Sequence, residues 1–176
     1  MSAVGVVVAT YPVDIFTAHY RISGEFKPRG NPTIFLNDPD NQTLSVYDAT
    51  VIPLRPGVEL EPLSAPTLHI SKSEIQVLVL GNMGLDVARP LPKRARLICL
   101  TDLYVLEGYF HMATDTRIED LFTVLAGPFF FATQLQIVSL YTEATGVHAA
   151  AELAYVHKAA IHAYYTPENA PADGTI

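Results

Sequence analysis

Residues 19–26 read His-Tyr-Arg-Ile-Ser-Gly-Glu-Phe, and residues 104–110 read Tyr-Val-Leu-Glu-Gly-Tyr-Phe. In both segments polar and apolar residues alternate with a period of two, which is typical of a half-buried strand. Tyr20, Gly24 and Phe26 recur as identical residues 84 positions later. A glycine inside a strand usually marks a bulge or a sharp bend. The two segments therefore predict two strands that bend at the same place.

Two further blocks extend this similarity along the chain. Residues 44–54 resemble residues 130–140, and residues 68–78 resemble residues 154–164, both at an offset of 86 positions, with Lys72 matching Lys158. A change of two residues in the offset fits an insertion in a loop, because loop-closure entropy changes slowly with loop length. Any β protein shows some alternation, but three collinear blocks favour an internal duplication.

Each repeat predicts a strand, a short helical turn, a strand, a long loop, and two strands joined at the lysine. This pattern is typical of a small barrel whose curved sheet bends at a glycine or bulge. The fold class predicted is mainly β, with two tandem small Sm-like or OB-like barrels. The predicted units are residues 1–80 for the first barrel, 81–96 for a linker, 97–165 for the second barrel and 166–176 for a flexible tail.

Helical turns are predicted between the first two strands of each unit. In the first unit the turn covers residues 31–37, and in the second Thr116 and Glu119 have the spacing of a capping box. The alanine-rich segment predicts a short helix around residues 149–153, with strands from about Tyr155 onward because the repeat opposes the local helix propensity.

The first unit resembles small bacterial domains of unknown function that have an Sm-like barrel. The resemblance lies in residues 20–24, in a Leu-Asn pair at 36–37, in an Asp-Ala pair at 48–49 and in the lysine turn of residues 70–75. The second unit departs from it, with Gln-Leu at residues 134–135 in place of Asp-Ala. The resemblance implies a small barrel fold, and it implies no catalytic activity.

Composition restricts the classes of function. Of the 176 residues, 49% are hydrophobic and only 16% are charged, which is more apolar surface than two small cores hide easily. We therefore expect a homo-oligomer or a permanent protein partner. The net charge of −7 disfavours general nucleic-acid binding, because phosphate backbones attract cationic surfaces.

Two apolar segments bear on location. The first residues lack the basic region of a signal peptide, and the single cysteine, Cys99, lies in an apolar run typical of a protein core. Both observations predict a cytoplasmic setting. Residues 121–141 carry no charge over the length of a membrane-spanning helix, but a central Gly-Pro pair and three consecutive phenylalanines favour a strand.

Candidate metal ligands have ordinary alternative explanations. His111, Asp115 and Glu119 would share one face of a helix, although the two acids also fit the capping of a helix N-terminus. A second candidate group lies near the C-terminus and fits no standard zinc spacing; it comprises His148, Glu152, His157 and His162. No phosphate loop, no nucleophile beside a base and no Cys-x-x-Cys pair occurs. We therefore predict no catalytic residue, no metal site and no cofactor.

The sequence favours a non-enzymatic interaction or assembly module, because tyrosine and phenylalanine are enriched in interface cores. The alternatives are single-stranded nucleic-acid binding on aromatic barrel faces and a membrane-associated accessory subunit. The basic residues Arg89, Lys93, Arg94 and Arg96 would meet an acidic partner or anionic lipid, or form a solvated linker. The predicted partner surface comprises Tyr47, Phe129, Phe131, Tyr164, Tyr165, Arg89, Lys93 and Arg94.

Overall fold

A computed structural model describes residues 8–54, 61–124, 126–140 and 148–168. The strands are β1 (Tyr11–Thr17), β2 (Tyr20–Phe26), β3 (Thr43–Pro53), β4 (Leu63–Ser71), β5 (Ile75–Leu80), β6 (Lys93–Leu100), β7 (Tyr104–Met112), β8 (Phe129–Ser139), β9 (His148–His157) and β10 (Ala163–Tyr165). The helices are α1 (Pro32–Asn37), α2 (Leu85–Ala88) and α3 (Leu121–Val124). Single 3₁₀ turns cover Lys72–Glu74, Ile118–Asp120 and Lys158–Ala160.

The strands form one antiparallel sheet in the order β10-β6-β7-β8-β9-β5-β1-β2-β3-β4. The first five strands of the chain have the order β5-β1-β2-β3-β4, and the last five have the corresponding order β10-β6-β7-β8-β9. The two halves meet where β5 pairs with β9. This contact, which we call the internal joint, makes the sheet continuous through both halves.

The pairing registers of the two halves correspond residue by residue. Val13 lies opposite Gly24, and Leu97 opposite Gly108, each at the offset of 84. The register of β2 shifts after Ser23, and that of β7 shifts at the matching position, after Glu107. Two non-glycine residues with positive φ, Asp48 at 49° and Gln134 at 51°, lie 86 positions apart in β3 and β8.

The predicted mainly β class is confirmed, and its finer description changes. Within the residues that the structure describes, ten strands form a single open sheet with β10 at one edge and β4 at the other, and hydrogen bonds between these strands do not close it into two barrels. The physical reason is that β5 and β9 pair across the two halves, so the strands that a separate barrel would use to close are joined to the other half.

Two segments contain elements other than those expected from the sequence. The predicted linker at 81–96 contains α2, and its last four residues begin β6, with Arg94 and Arg96 half-buried and Ala95 buried. The predicted helix at 149–153 is part of β9, which lies between β8 and β5. Backbone pairing of these residues with β8 outweighs the helix preference of alanine, which is only a few tenths of a kcal/mol per residue.

The helical turns differ in how they begin. The predicted turn at 31–37 is confirmed as α1, and the Asn31 side chain accepts hydrogen bonds from the amides of Thr33 and Ile34. The predicted capping box is wrong, because the turn of the second half begins after Arg117, without a side-chain cap. Thr116 is buried, and its carbonyl accepts a hydrogen bond from Lys93. None of the helices in the described ranges is long and apolar enough to cross a membrane.

The hydrophobic core consists of two clusters that exchange side chains between the halves. The cluster of the first half includes Phe129, Phe131 and Tyr155 from the second half. The cluster of the second half includes Phe16 from β1 and Val77 from β5. Each half therefore completes the core of the other.

Candidate interaction surfaces

The β10 edge is short and anchored from one side. Ala163, Tyr164 and Tyr165 lie opposite Leu100, Cys99 and Ile98 of β6. The Tyr164 ring packs against Phe122 with centroids 4.8 Å apart, and its hydroxyl donates to the Ile118 carbonyl at 3.2 Å. The next residue, Tyr165, is 54% exposed. The sheet thus ends in an ordered strand with an exposed aromatic side chain.

The β4 edge is longer and pairs only with β3 within the described residues. Leu63 is 62% exposed, Ile70 is buried, and His69 is exposed with its Nδ1 2.9 Å from the Ser45 hydroxyl. Pro66 lies in the middle of the strand, which is compatible with an edge because proline has no amide to donate. The part of β4 that follows Pro66 keeps all its backbone amides.

Neither edge strand carries an aspartate, glutamate, lysine or arginine. Proteins commonly protect open sheet edges with charged side chains, because unpaired backbone groups there form a template for another strand. The β4 edge has its proline as a protective device and β10 has its length of only three residues, but neither strand carries a charge. Both edges are therefore chemically suited to pair with a further strand. The strand β4 was not identified as an edge strand from the sequence. The signal in the sequence is that Leu63–Ser71 contains no charged residue, and in the structure its first residue, Leu63, is 62% exposed.

At the internal joint, the edge of one half is covered by the edge strand of the other half, β5 by β9. Leu78 lies opposite Tyr155, both fully buried, and this pair is flanked by two others: Val77 with Val156 and Val79 with Ala154. The Tyr155 hydroxyl lies 2.7 Å from the Thr33 hydroxyl of α1. Burial raises the pKa of Tyr155 to about 12, so its phenol stays protonated. Short strand pairing is thus combined with a buried aromatic contact.

Further hydrogen bonds cross between the halves. The Phe129 amide donates to Oδ1 of Asn37 at 3.0 Å, and the Tyr104 hydroxyl donates to the Thr17 carbonyl at 3.1 Å. The Thr101 hydroxyl donates to Oε1 of Gln76 at 3.1 Å. Buried polar groups are expensive to leave without partners, so these bonds fix how the halves dock.

The aromatic residues predicted to form a partner surface divide into two groups. Phe129 and Phe131 are only 3% and 8% exposed, so their assignment to an exposed surface is wrong. They lie in the core because β8 is flanked on both sides by strands, and large side chains there fill the space between the halves. Tyr47 is half-buried beneath Lys27, whereas Tyr164 and Tyr165 lie at the β10 edge.

The predicted basic residues do not form one patch of free charge. Arg89 is exposed and ends α2 with a φ of 49°. Lys93 donates to the Thr116 carbonyl at 3.0 Å, and the Arg94 guanidinium lies 4.8 Å from the centroid of the Tyr109 ring. Arg96 forms an ion pair with Glu107. Three of the four side chains therefore have intramolecular partners.

The candidate metal ligands are not brought together. His111 lies in β7, while Asp115 and Glu119 are exposed in the following turns. At the other candidate group, His157 packs edge-on against Phe129, and His162 lies 3.4 Å from Asp102. The His148 side chain lies outside the described residues. Among the residues described, no group of three His, Cys, Asp or Glu side chains could hold a metal ion.

Cys99 lies in the core, as predicted, at 1% exposure. Burial raises the pKa of its thiol to about 12. The thiolate, which is the nucleophilic form of cysteine, is therefore strongly disfavoured at neutral pH. The geometry supports a packing role for this side chain.

His111 is a buried titratable group that links the stability of the protein to pH. Its Nδ1 lies 3.1 Å from the Leu91 carbonyl and must donate to it, so the neutral ring accepts from the Thr133 hydroxyl at Nε2. Burial lowers the pKa of His111 below its ordinary 6.5; the bond to Leu91 opposes this change, and the positive charge of Arg94 adds to it.

We expect acidification to destabilise the protein through His111. A lowered pKa in the folded state means that the unfolded chain binds more protons, so the free energy of unfolding falls as the pH decreases from about 7 to about 5. His111→Gln should reduce this pH dependence, measured by urea unfolding at both pH values. His157, whose pKa is lowered by burial and by Lys158, contributes in the same direction. An unchanged pH dependence in His111→Gln would contradict the assignment.

No protein-family model matches this chain, and comparisons with curated proteins and with solved structures give no significant match.

Proposed function

We propose that this protein is a non-enzymatic assembly subunit that associates through the two open edges of its sheet. The observation that carries the proposal is that β4 and β10 lie at the edges of a continuous sheet among the described strands, and that neither strand contains a charged residue. An edge of this kind binds by strand addition, in which main-chain hydrogen bonds supply affinity and the side chains supply specificity.

The fold behind this proposal is a tandem pair of barrel-like units produced by duplication. It is supported by the equal strand orders of the two halves, by their matching registers and by the paired positive-φ residues Asp48 and Gln134. Asp48 belongs to the Asp-Ala pair of the resemblance to Sm-like domains, and Gln134 lies at the corresponding position of the second unit, where the sequence departs from that resemblance. Duplication explains why each half offers one edge inward and one edge outward.

Side-chain chemistry at the edges supports an apolar partner surface. Tyr165 on β10 and Leu63 on β4 are more than half exposed. Leu100 of β6, which lies opposite Ala163, adds an apolar side chain of 36% exposure next to the β10 edge. Burial of such side chains contributes about 25 cal/mol for each Å² removed from water.

The first test is the mass of the protein in solution. Light scattering coupled to size-exclusion chromatography is expected to give a multiple of the 19.2 kDa chain mass. Tyr165→Lys should shift the protein toward the monomer, because it places a charge on β10, which forms an edge of the sheet among the described strands. The matched control is Tyr20→Lys, which changes a 44% exposed tyrosine on the interior strand β2 and should leave the mass unchanged.

The proposal fails if the unmodified chain remains a monomer up to its solubility limit. It also fails if Tyr165→Lys and Tyr20→Lys affect the mass equally, since the edge would then have no special part in association. Circular dichroism of both variants establishes that each retains the native strand content.

A further inference from the structure

We infer that β10 of one copy pairs with β4 of a second copy, head to tail, in the register of the internal joint. The inference rests on the proposed function, since it specifies the partner of the same edges. The internal joint unites the last strand of one half, β5, with the fourth strand of the other half, β9. The two edge strands are the equivalents of these two strands in the opposite halves. The strand β10 is the last of its half, like β5, and β4 is the fourth of its half, like β9.

The register of the contact between copies follows from the offset of 86 positions. Applied to the internal joint, the offset carries Val77, Leu78 and Val79 to positions 163–165, which are the whole of β10. It carries Ala154, Tyr155 and Val156 to Leu68, His69 and Ile70 of β4. The inferred pairs are thus Ala163 with Ile70, Tyr164 with His69, and Tyr165 with Leu68.

The residues of the inferred contact are more exposed in a single chain than the corresponding residues of the internal joint. The central pair of the internal joint, Leu78 and Tyr155, is fully buried. Its counterpart in the inferred contact is half-buried Tyr164 with exposed His69. The exposed Tyr165 would likewise be covered by a neighbouring strand. These positions are more exposed than their counterparts, which is the difference that a second copy would remove.

Pro66 does not obstruct this register. It lies two residues before Leu68, and the corresponding position of β9 is Glu152, which precedes the three residues that pair with β5. The segment that receives β10 is therefore free of proline. Because the two surfaces differ, the contact is heterologous, and it continues from copy to copy until it closes on itself or extends into a filament.

Disulfide trapping between two singly substituted chains tests the register. Both chains carry Cys99→Ala, so that the native thiol beside β10 takes no part; one adds Leu68→Cys and the other Tyr165→Cys. Residues directly opposite in an antiparallel pair have Cα atoms about 4.5–5.5 Å apart, within the range that a disulfide spans. Mild oxidation of the mixture is expected to give covalent dimers that contain one chain of each kind.

The controls separate this pairing from its alternatives. Each variant oxidised alone should stay monomeric on a non-reducing gel, and Leu68→Cys mixed with Ala163→Cys, two residues out of register, should cross-link much more slowly. A second pair, His69→Cys with Tyr164→Cys, tests the same register at an exposed position of β4. Circular dichroism shows that each variant is folded.

The outcomes distinguish the two proposals. Oligomers that cross-link like with like, through Leu68→Cys alone or Tyr165→Cys alone, overturn the head-to-tail register while edge-mediated assembly stands. Oligomers that give no cross-link at either pair also overturn the register. A chain that is monomeric by light scattering overturns the proposed function, and the inference with it.

Discussion

Replacing Phe16 with alanine is expected to lower the free energy of unfolding by about 4 kcal/mol, within the range for buried phenylalanine. Phe16 is 1% exposed and packs edge-to-face against Tyr104, with ring centroids 5.8 Å apart. It belongs to β1, yet it lies in the core of the second half. The substitution should therefore weaken both halves at once, which urea unfolding followed by circular dichroism and by tyrosine fluorescence can measure.

The same experiment tests whether the halves unfold as one unit. Both signals should give a single transition at the same urea concentration, before and after the substitution. Phe122→Ala serves as the control, because Phe122 is half-buried and packs on Phe130 and Tyr164 of its own half, so a smaller loss is expected. Two separate transitions, with one unchanged by Phe16→Ala, would show that the exchanged side chains do not couple the halves.

The second large effect is expected at Gly24, where β2 approaches β3 closely. A Cβ atom at Gly24 would lie 2.6 Å from the Tyr47 carbonyl oxygen and 2.6 Å from Cγ1 of Val46, distances that real Cβ atoms do not show. Gly24→Ala must therefore displace the backbone of β3 at its irregular register. Overpacking of this kind costs typically 1–3 kcal/mol, and we expect about 3 kcal/mol here because the obstructing atoms include backbone.

Gly108 provides a matched control at the corresponding position of β7. A Cβ atom there would lie 3.0 Å from Cα and Cδ1 of Leu135, a tight but less severe contact. Gly108→Ala should therefore cost about 1 kcal/mol. Denaturant unfolding of the two variants measures the difference. Equal losses, or a larger loss for Gly108→Ala, would contradict the packing seen at the two bends.

Much of the strand pattern could be predicted from the sequence, because alternation and the repeated glycines report local geometry. The segments around Tyr20 and Tyr104, and the turns at Lys72 and Lys158, lie where the two offsets place them. The first strand of each half was harder to recognise. Pro12 interrupts the alternation of β1, and the basic residues that open β6 resemble those of a linker.

The rest could not be predicted because it depends on contacts between the halves. The pairing of β5 with β9 joins segments far apart in sequence and involves residues 154–156 of β9, whereas the alanine-rich residues 149–151 are paired with β8. Phe129 and Phe131 are buried because they pack into the core cluster of the first half, although phenylalanine is also a residue type typical of interface cores. Extending the offset of 84 backward from Tyr20 would have identified Tyr11–Thr17 as the counterpart of residues 95–101.

The internal joint restricts how many five-stranded units a complex of this chain can contain. Every polypeptide brings two five-stranded units already bonded through β5 and β9, so the units in an assembly of this chain are always even in number. Dilution can separate such a complex only into whole chains. The two units of one chain lose their contact through β5 and β9 only when the chain unfolds.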